Sequence, residues 1–134
     1  MIILSEPGDK LQVRLNNYET EKALDCFCTW RDNYLEPKVI LNVFVPNRTI
    51  TITEGATPID LVVAPLAELK RTIDFISIIN TNNRAHIVII TFVTATTETI
   101  LYSSSLAVGE RLQYTDMTGF ITYDVNGAMK YKVV

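Results

Sequence analysis

The residues of this chain that could carry out catalysis are few, and they lie far apart in the sequence. His86, the only histidine, opens an apolar stretch after Arg84 and Ala85, a position more typical of a turn than of a catalytic base. The run Ser103-Ser104-Ser105 lacks the Gly-x-Ser-x-Gly pattern that exposes a nucleophilic serine, so we interpret it as a turn or linker. The sequence therefore predicts no catalytic residue and no enzyme activity.

The possible metal ligands are equally scattered. Asp116, Asp124 and Asn126 lie near turns, but their spacing fits no calcium loop, and the Asp-x-Asn-Gly segment is explained by a hairpin turn. Cys26 and Cys28 stand two apart in a predicted strand and point the same way, which suits neither a mutual disulfide nor a complete zinc site. We expect two reduced, buried thiols, no metal and no cofactor.

The elements that would position these residues are short strands. The composition is 48% hydrophobic and 20% charged, and the apolar residues occur in short, often alternating runs separated by turn residues. The segment Ala64–Lys70 could form one helical turn. We predict a single domain over residues 1–134, an all-β antiparallel β-sandwich, jelly-roll-like, with nine to eleven short strands. These strands are Lys10–Leu15, Leu24–Trp30, Val39–Val45, Arg48–Thr53, Ile59–Val63, Thr72–Asn80, His86–Val93, Thr99–Tyr102, Arg111–Tyr114, Gly119–Tyr123 and Met129–Val133.

Two of these strands, Thr72–Asn80 and His86–Val93, form the centre of the predicted fold, and we interpret them as neighbours closed by a polar turn at residues 81–84. Both faces of each strand are largely apolar, whereas a strand with one wet face alternates strictly. A small sandwich covers one face, so the second face predicts contact with another subunit, most simply in a homotrimer. The candidate interface residues are Ile76, Ile78, Ile87, Ile89 and Val93.

Charge and hydropathy exclude two classes of partner. The net charge is −3 and the twelve basic residues are dispersed, so the sequence offers no basic patch for nucleic acid. No apolar run approaches the roughly 18 residues of a membrane helix, and the opening residues are too short for a signal-peptide core. We expect neither nucleic acid nor membrane as a partner.

Aromatic residues leave a carbohydrate-binding module as an alternative function. Tyr18, Tyr34 and Trp30, if exposed, could stack on sugar rings. The alternation of Trp30 with Cys28 and Cys26 places it instead on the inward face of its strand, so we favour core packing for Trp30.

Several segments resemble a family of small virion proteins of tailed bacteriophages. The segments are residues 74–80 (DFISIIN), 106–114 (LAVGERLQY), 119–120 and 124–130 (DVNGAMK), with weaker likeness around Leu11-Gln12-Val13 and Trp30-Arg31-Asp32. This resemblance covers most of the chain. Its motifs are turn glycines, alternating strands and a hairpin, so they bear on fold and setting and identify no active site.

The resemblance implies a structural protein of the virion, assembled in the host cytoplasm. We expect a capsid decoration or cement protein that binds between subunits of the major capsid protein and stabilises the head shell. A tail, neck or fibre component is the alternative within the particle.

Overall fold

The computed structural model describes residues 1–16, 24–34, 43–52 and 58–130, with residues 43–52 described by their backbone. The described chain contains no helix and forms strands that pair throughout in antiparallel fashion. The predicted all-β sandwich is confirmed. No helix that could span a bilayer occurs in this part of the chain.

The described residues form ten strands in two sheets. The larger sheet has the order β10-β9-β6-β3-β4, with β1 also paired to β6, and the smaller has the order β5-β2-β7-β8. The strands are β1 (Ile2–Leu4), β2 (Lys10–Leu15), β3 (Leu24–Tyr34), β4 (Val43–Ile52), β5 (Ile59–Val62), β6 (Leu69–Asn80), β7 (His86–Val93), β8 (Glu98–Leu106), β9 (Arg111–Thr115) and β10 (Gly119–Tyr123).

The chain passes repeatedly between the two sheets. The successive pairs β3/β4, β7/β8 and β9/β10 are neighbours within a sheet, and every other connection between the described strands crosses to the opposite sheet. Such crossing connections wrap the two sheets around one shared interior. Apart from those three pairs, consecutive described strands therefore lie in opposite sheets.

The predicted pairing of the two central strands is wrong. β6 lies in the larger sheet between β9 and β3, whereas β7 lies in the smaller sheet between β2 and β8. The connection between them crosses the sandwich, and the Asn80 side chain donates hydrogen bonds to the carbonyl oxygens of Arg84 (2.9 Å) and Leu106 (2.8 Å) there. Because both strands are apolar, each can contribute its own inner face to the core without pairing with the other.

The sequence predicted that a strand ends before Pro46, but in the structure Pro46 lies within β4. The predicted strands Val39–Val45 and Arg48–Thr53 merge into β4, and residues 39–42 and 53 lie outside the described part of the chain. The register of β3 with β4 shifts between Cys28 and Trp30, which face Arg48 and Val45 respectively. A proline is tolerated there because β4 is an edge strand with an irregular register at this point.

The sequence predicted the turn that follows β10 better than the turn that follows β5. The expected helical turn at Ala64–Lys70 is a tight turn, in which the Leu69 N–H donates to the Leu66 carbonyl oxygen at 3.1 Å. The Asn126-Gly127 hairpin is confirmed: the Asp124 carboxylate accepts N–H bonds from Asn126 and Ala128, and Gly127 adopts a φ of 84°. The described part of the last predicted strand contributes one bridge, between Tyr123 and Met129.

The core is formed by the inward residues of both sheets. Within the described residues, one cluster of buried side chains joins β1, β2, β3, β5, β6, β7, β8 and β9. The largest fully buried members are Leu4, Leu11, Leu15, Leu24, Leu61, Ile73, Ile76, Ile78, Ile90, Leu106 and Leu112. Burial of this aliphatic set is the main source of stability.

One buried ion pair fixes the register of β3 against β6. The Arg71 guanidinium meets both carboxylate oxygens of Asp32, at 2.8 and 3.0 Å, and donates to the Val63 carbonyl oxygen at 2.9 Å. Its carbon Cζ lies 5.0 Å from the centre of the Trp30 ring. Because these groups are removed from water, removing one partner leaves the other charge uncompensated.

We expect Arg71→Leu to lower the free energy of unfolding by about 3–5 kcal/mol, the range for breaking a buried pair. The double variant Arg71→Leu/Asp32→Leu should recover part of that loss because it removes both charges. Urea unfolding followed by the fluorescence of Trp30, the only tryptophan, gives the measurement.

Arg31→Leu is the matched control, since Arg31 pairs with Asp74 at 3.0 Å with both side chains about one-third exposed. That substitution should cost about 1 kcal/mol or less. If Arg71→Leu and Arg31→Leu lowered the free energy of unfolding equally, burial would not be the reason that the Arg71–Asp32 pair stabilises the protein.

Candidate subunit-contact surface

The register of β7 assigns its side chains to the two faces of the smaller sheet. Val88 and Ile90 belong to the core cluster, and Phe92 packs against it. Successive residues of a strand point to opposite faces, so Ile87, Ile89, Thr91 and Val93 point outward. Three of these four outward residues are aliphatic, which is unusual for a face turned away from the core.

The neighbouring strand β8 extends this apolar surface. Ile100 pairs with Thr91 and therefore lies on the same outer face. The exposed fractions are 57% for Ile100 and 39% for Ile87, whereas that of Ile89 is 8%. We call the set Ile87, Ile89, Val93 and Ile100 the outer patch. It is the candidate functional surface of the described residues.

Two of the five predicted interface residues do not belong to this surface. Ile76 and Ile78 are fully buried in the core, where they face Cys28 and Cys26 of β3. The expectation that they lie on an outer face is wrong. The register of β6 with β3 skips Asp74, so Ile73 joins Ile76 and Ile78 on the inner face. Simple alternation along the strand places Ile73 on the face opposite to Ile76 and Ile78.

The other three predicted residues, Ile87, Ile89 and Val93, lie together on the outer face of the smaller sheet. Polar side chains of β2 border them, because Arg14 pairs with Ile89 and Lys10 with Val93. Lys10 also approaches Asp60 of β5 at 3.3 Å, so the charges of this border are partly balanced. An apolar centre with a polar border is the common composition of a protein contact surface.

The serine run is part of this sheet and forms neither a turn nor a linker. Ser103, Ser104 and Ser105 lie within β8, where Ser104 turns inward and its hydroxyl meets the Thr122 hydroxyl of β10 at 3.0 Å. This bond links the two sheets at one end of the sandwich. The sequence missed it because serine has little preference for strands.

His86 is buried, and its Nε2 lies 3.1 Å from the side-chain oxygen of Asn82 in the connection between β6 and β7. Asn82 in turn donates its backbone N–H to the Asn80 side-chain oxygen at 2.9 Å. These contacts hold the crossing connection in place. They give His86 a role in local structure.

The acidic residues near the C-terminal turns do not converge. Asp116 lies 3.4 Å from the N-terminal amino group, whereas the Asp124 carboxylate accepts the backbone N–H of Asn126 within the hairpin. Across the described residues, no group of three or more His, Cys, Asp or Glu side chains could hold a metal ion. Two shallow cavities there, of about 190 and 260 Å³, are lined mainly by turn residues.

Of the three aromatic residues considered for sugar stacking, only Trp30 has a described side chain. Trp30 is 5% exposed and packs in the core beneath Arg71, as its alternation predicted. Tyr18 and the side chain of Tyr34 lie outside the described residues.

Neither Cys26 nor Cys28 forms a disulfide, and both are buried and face the core from β3. The Cys28 thiol donates to the Leu61 carbonyl oxygen at 3.3 Å. Burial, with smaller contributions from Cys28 and Asp25, raises the pKa of Cys26 to about 12. The reactive thiolate is therefore scarce at neutral pH.

We expect Cys26 and Cys28 to react with a disulfide reagent such as Ellman's reagent far more slowly in the folded protein than in urea. Absorbance at the reporter wavelength over time gives both rates. Rapid labelling of both thiols without denaturant would show that this end of β3 opens readily.

Comparison with family models, curated proteins and solved structures finds no match for this chain.

The separation of core from outer patch gives a stability test. Ile78→Ala should lower the free energy of unfolding by about 2–5 kcal/mol, because it leaves a cavity in a fully packed site. Ile100→Ala removes a side chain that is mostly in water and should change stability by about 0.5 kcal/mol or less. Urea titration of both variants decides this, and a large loss for Ile100→Ala would place that residue in the core.

Proposed function

We propose that this protein is a structural component of a bacteriophage virion, most simply a decoration or cement protein on the head shell. The sequence resemblance to small phage virion proteins suggests the setting, and the outer patch, which leaves Ile87 and Ile100 partly in water on the smaller sheet, supports a protein contact. The single structural observation that carries the proposal is the exposure of Ile87 and Ile100.

The size of the outer patch limits how the copies associate. Complete burial of an isoleucine contributes roughly 1.5–3 kcal/mol, and Ile87 and Ile100 are each only about half exposed. Their burial therefore contributes on the order of 2–3 kcal/mol, and Ile89 adds little because it is already covered. Association costs at least about 4 kcal/mol, so this patch alone does not hold a trimer together in solution.

The proposed assembly therefore forms on the particle. A homotrimer seated on the shell meets several capsid subunits at once, and each added contact raises the effective affinity of the others. A subunit that binds the assembled shell more tightly than its dissociated parts stabilises the shell by mass action. The outer patch supplies one of these contacts.

Quantitative mass spectrometry of purified virions tests the proposal directly. A decoration protein should be present in hundreds of copies per particle, in proportion to the capsid protein. A dozen copies or fewer would indicate a neck or tail position, which is the alternative within the virion. Absence from the particle would overturn the proposal.

We expect Ile87→Asp to be lost from particles, since it introduces a charge into the outer patch. The control is Met117→Asp, which adds the same charge at a residue that is 96% exposed and lies between β9 and β10. Comparison of the two variants by their abundance in purified virions gives the result. Equal incorporation would show that the outer patch makes no contact in the particle.

A further inference from the structure

Arg111 lies on the outer face of the larger sheet, at the first residue of β9. The next alternate residues, Leu112 and Tyr114, belong to the core cluster, so Arg111 points the other way. Ile79 of β6 and Tyr123 of β10 pair with Arg111 from its two sides. Directly paired residues share a face, so these three side chains form one outward row near the ends of their strands.

The guanidinium of Arg111 forms no ion pair with a described carboxylate, and its buried Nε meets no acceptor among the described residues. By contrast, Arg71 pairs with Asp32 at 2.8 Å and Arg31 with Asp74 at 3.0 Å. A buried donor without an acceptor is costly, and such groups are rare in folded proteins. Arg111 therefore keeps bonding capacity that the described part of the fold does not use.

The Tyr123 ring restricts the position of this guanidinium. The Arg111 Cζ lies 5.4 Å from the centre of the ring, within the range of a cation–π contact. Such a contact limits the rotamers of a long side chain, so less freedom is lost when a ligand binds. The planar fork of an arginine matches the two oxygens of a carboxylate.

Arg111 also lines the larger of the two cavities, whose volume is about 260 Å³. Ile79 and Val125 give this cavity apolar surface, and Val125 is 66% exposed, which places it at the rim. The side-chain amide of Asn126 is a second hydrogen-bond donor in the lining. The cavity therefore combines a restrained cation, an amide and an apolar wall.

The acidic groups nearby have other partners. Asp124 lines the same cavity, but its Oδ1 accepts the backbone N–H groups of Asn126 and Ala128, each at 2.9 Å. Glu110 pairs with Lys130 at 2.9 Å. The Asp124 carboxylate still adds negative charge to the wall, and like charges at short range repel. The cavity therefore disfavours a ligand that carries more than one negative charge.

We propose that this cavity binds a single carboxylate group, which Arg111 holds through its N–H groups while Ile79 and Val125 contact the hydrocarbon part of the ligand. The carboxylate can belong to a free monocarboxylic acid or to an acidic side chain of another polypeptide. The inference goes beyond the proposed function, because the cavity lies on the larger sheet and the outer patch lies on the smaller one.

The test uses the isolated protein and two pairs of probes at constant ionic strength. Butyrate is compared with its neutral counterpart butanamide, and a capped glycine–glutamate–glycine peptide with the same peptide containing glutamine. The Nε–H resonance of Arg111 and the backbone amides of residues 124–127 are followed by NMR. We expect saturable shifts with butyrate and none with either neutral probe.

The glutamate peptide distinguishes the two sources of the carboxylate. Saturable shifts with both butyrate and this peptide would show that a side chain can occupy the cavity, whereas shifts with butyrate alone would identify a free acid as the ligand. Inorganic phosphate, which carries more than one negative charge at neutral pH, should bind more weakly than butyrate because it meets Asp124.

Two pairs of variants test the residues, with the amides of residues 124–127 as the readout. Arg111→Gln should weaken butyrate binding by about tenfold or more, whereas Arg31→Gln removes the same charge from the same sheet and should leave binding unchanged. Val125→Asp adds a negative charge at the rim and should also weaken binding. Met117→Asp adds that charge at the turn between β9 and β10, where Met117 is 96% exposed, and should not.

Four results would overturn the inference: no saturable shift with butyrate, an equal response to butanamide, phosphate binding as tight as that of butyrate, or unchanged binding by Arg111→Gln. Because Val125 is mostly exposed, Val125→Asp keeps the test valid if Arg111→Gln fails to fold. None of these results depends on virions, so a failure here is distinct from absence of the protein from particles.

Discussion

The structure depends on one constraint: β7 is largely apolar on both faces, and its two faces are buried to different extents. Its inner residues, such as Val88 and Ile90, belong to the core. Of its outer residues, Ile89 and Thr91 are buried, whereas Ile87 remains exposed. The exposed apolar surface of the outer patch is too small to drive stable association alone. Exposed apolar side chains also do not favour solubility, so we interpret this surface as a contact surface.

The proposed contact surface is the outer patch, whose apolar burial is non-directional and weak at this size. The patch lies on the smaller sheet, whereas the buried Arg71–Asp32 pair and both thiols lie on strands of the larger sheet. The inner faces of both sheets form the core. The smaller sheet therefore stabilises the fold through one face and carries the proposed contact on the other.

The sequence predicted the strands better than their arrangement. Alternation located β2, and the inward series Leu24, Cys26, Cys28 and Trp30 of β3 was also correct. It could not show that β6 and β7 belong to different sheets, because a strand that is apolar on both faces fits either arrangement. It also missed the skipped Asp74 in the register of β6, since one unpaired residue reverses the predicted face of everything beyond it. The error in assigning Ile76 and Ile78 to the interface came from this ambiguity.

The central claim is that the smaller sheet is the contact side of this protein. Hydrogen exchange, measured by mass spectrometry on the free protein and on the same protein in purified virions, tests it most directly. We expect slower exchange in the particle for peptides covering β7 and β8, with little change in β3 and β6, which are already protected in the core. Equal exchange of β8 in both samples, or failure to find the protein in virions, would contradict the claim.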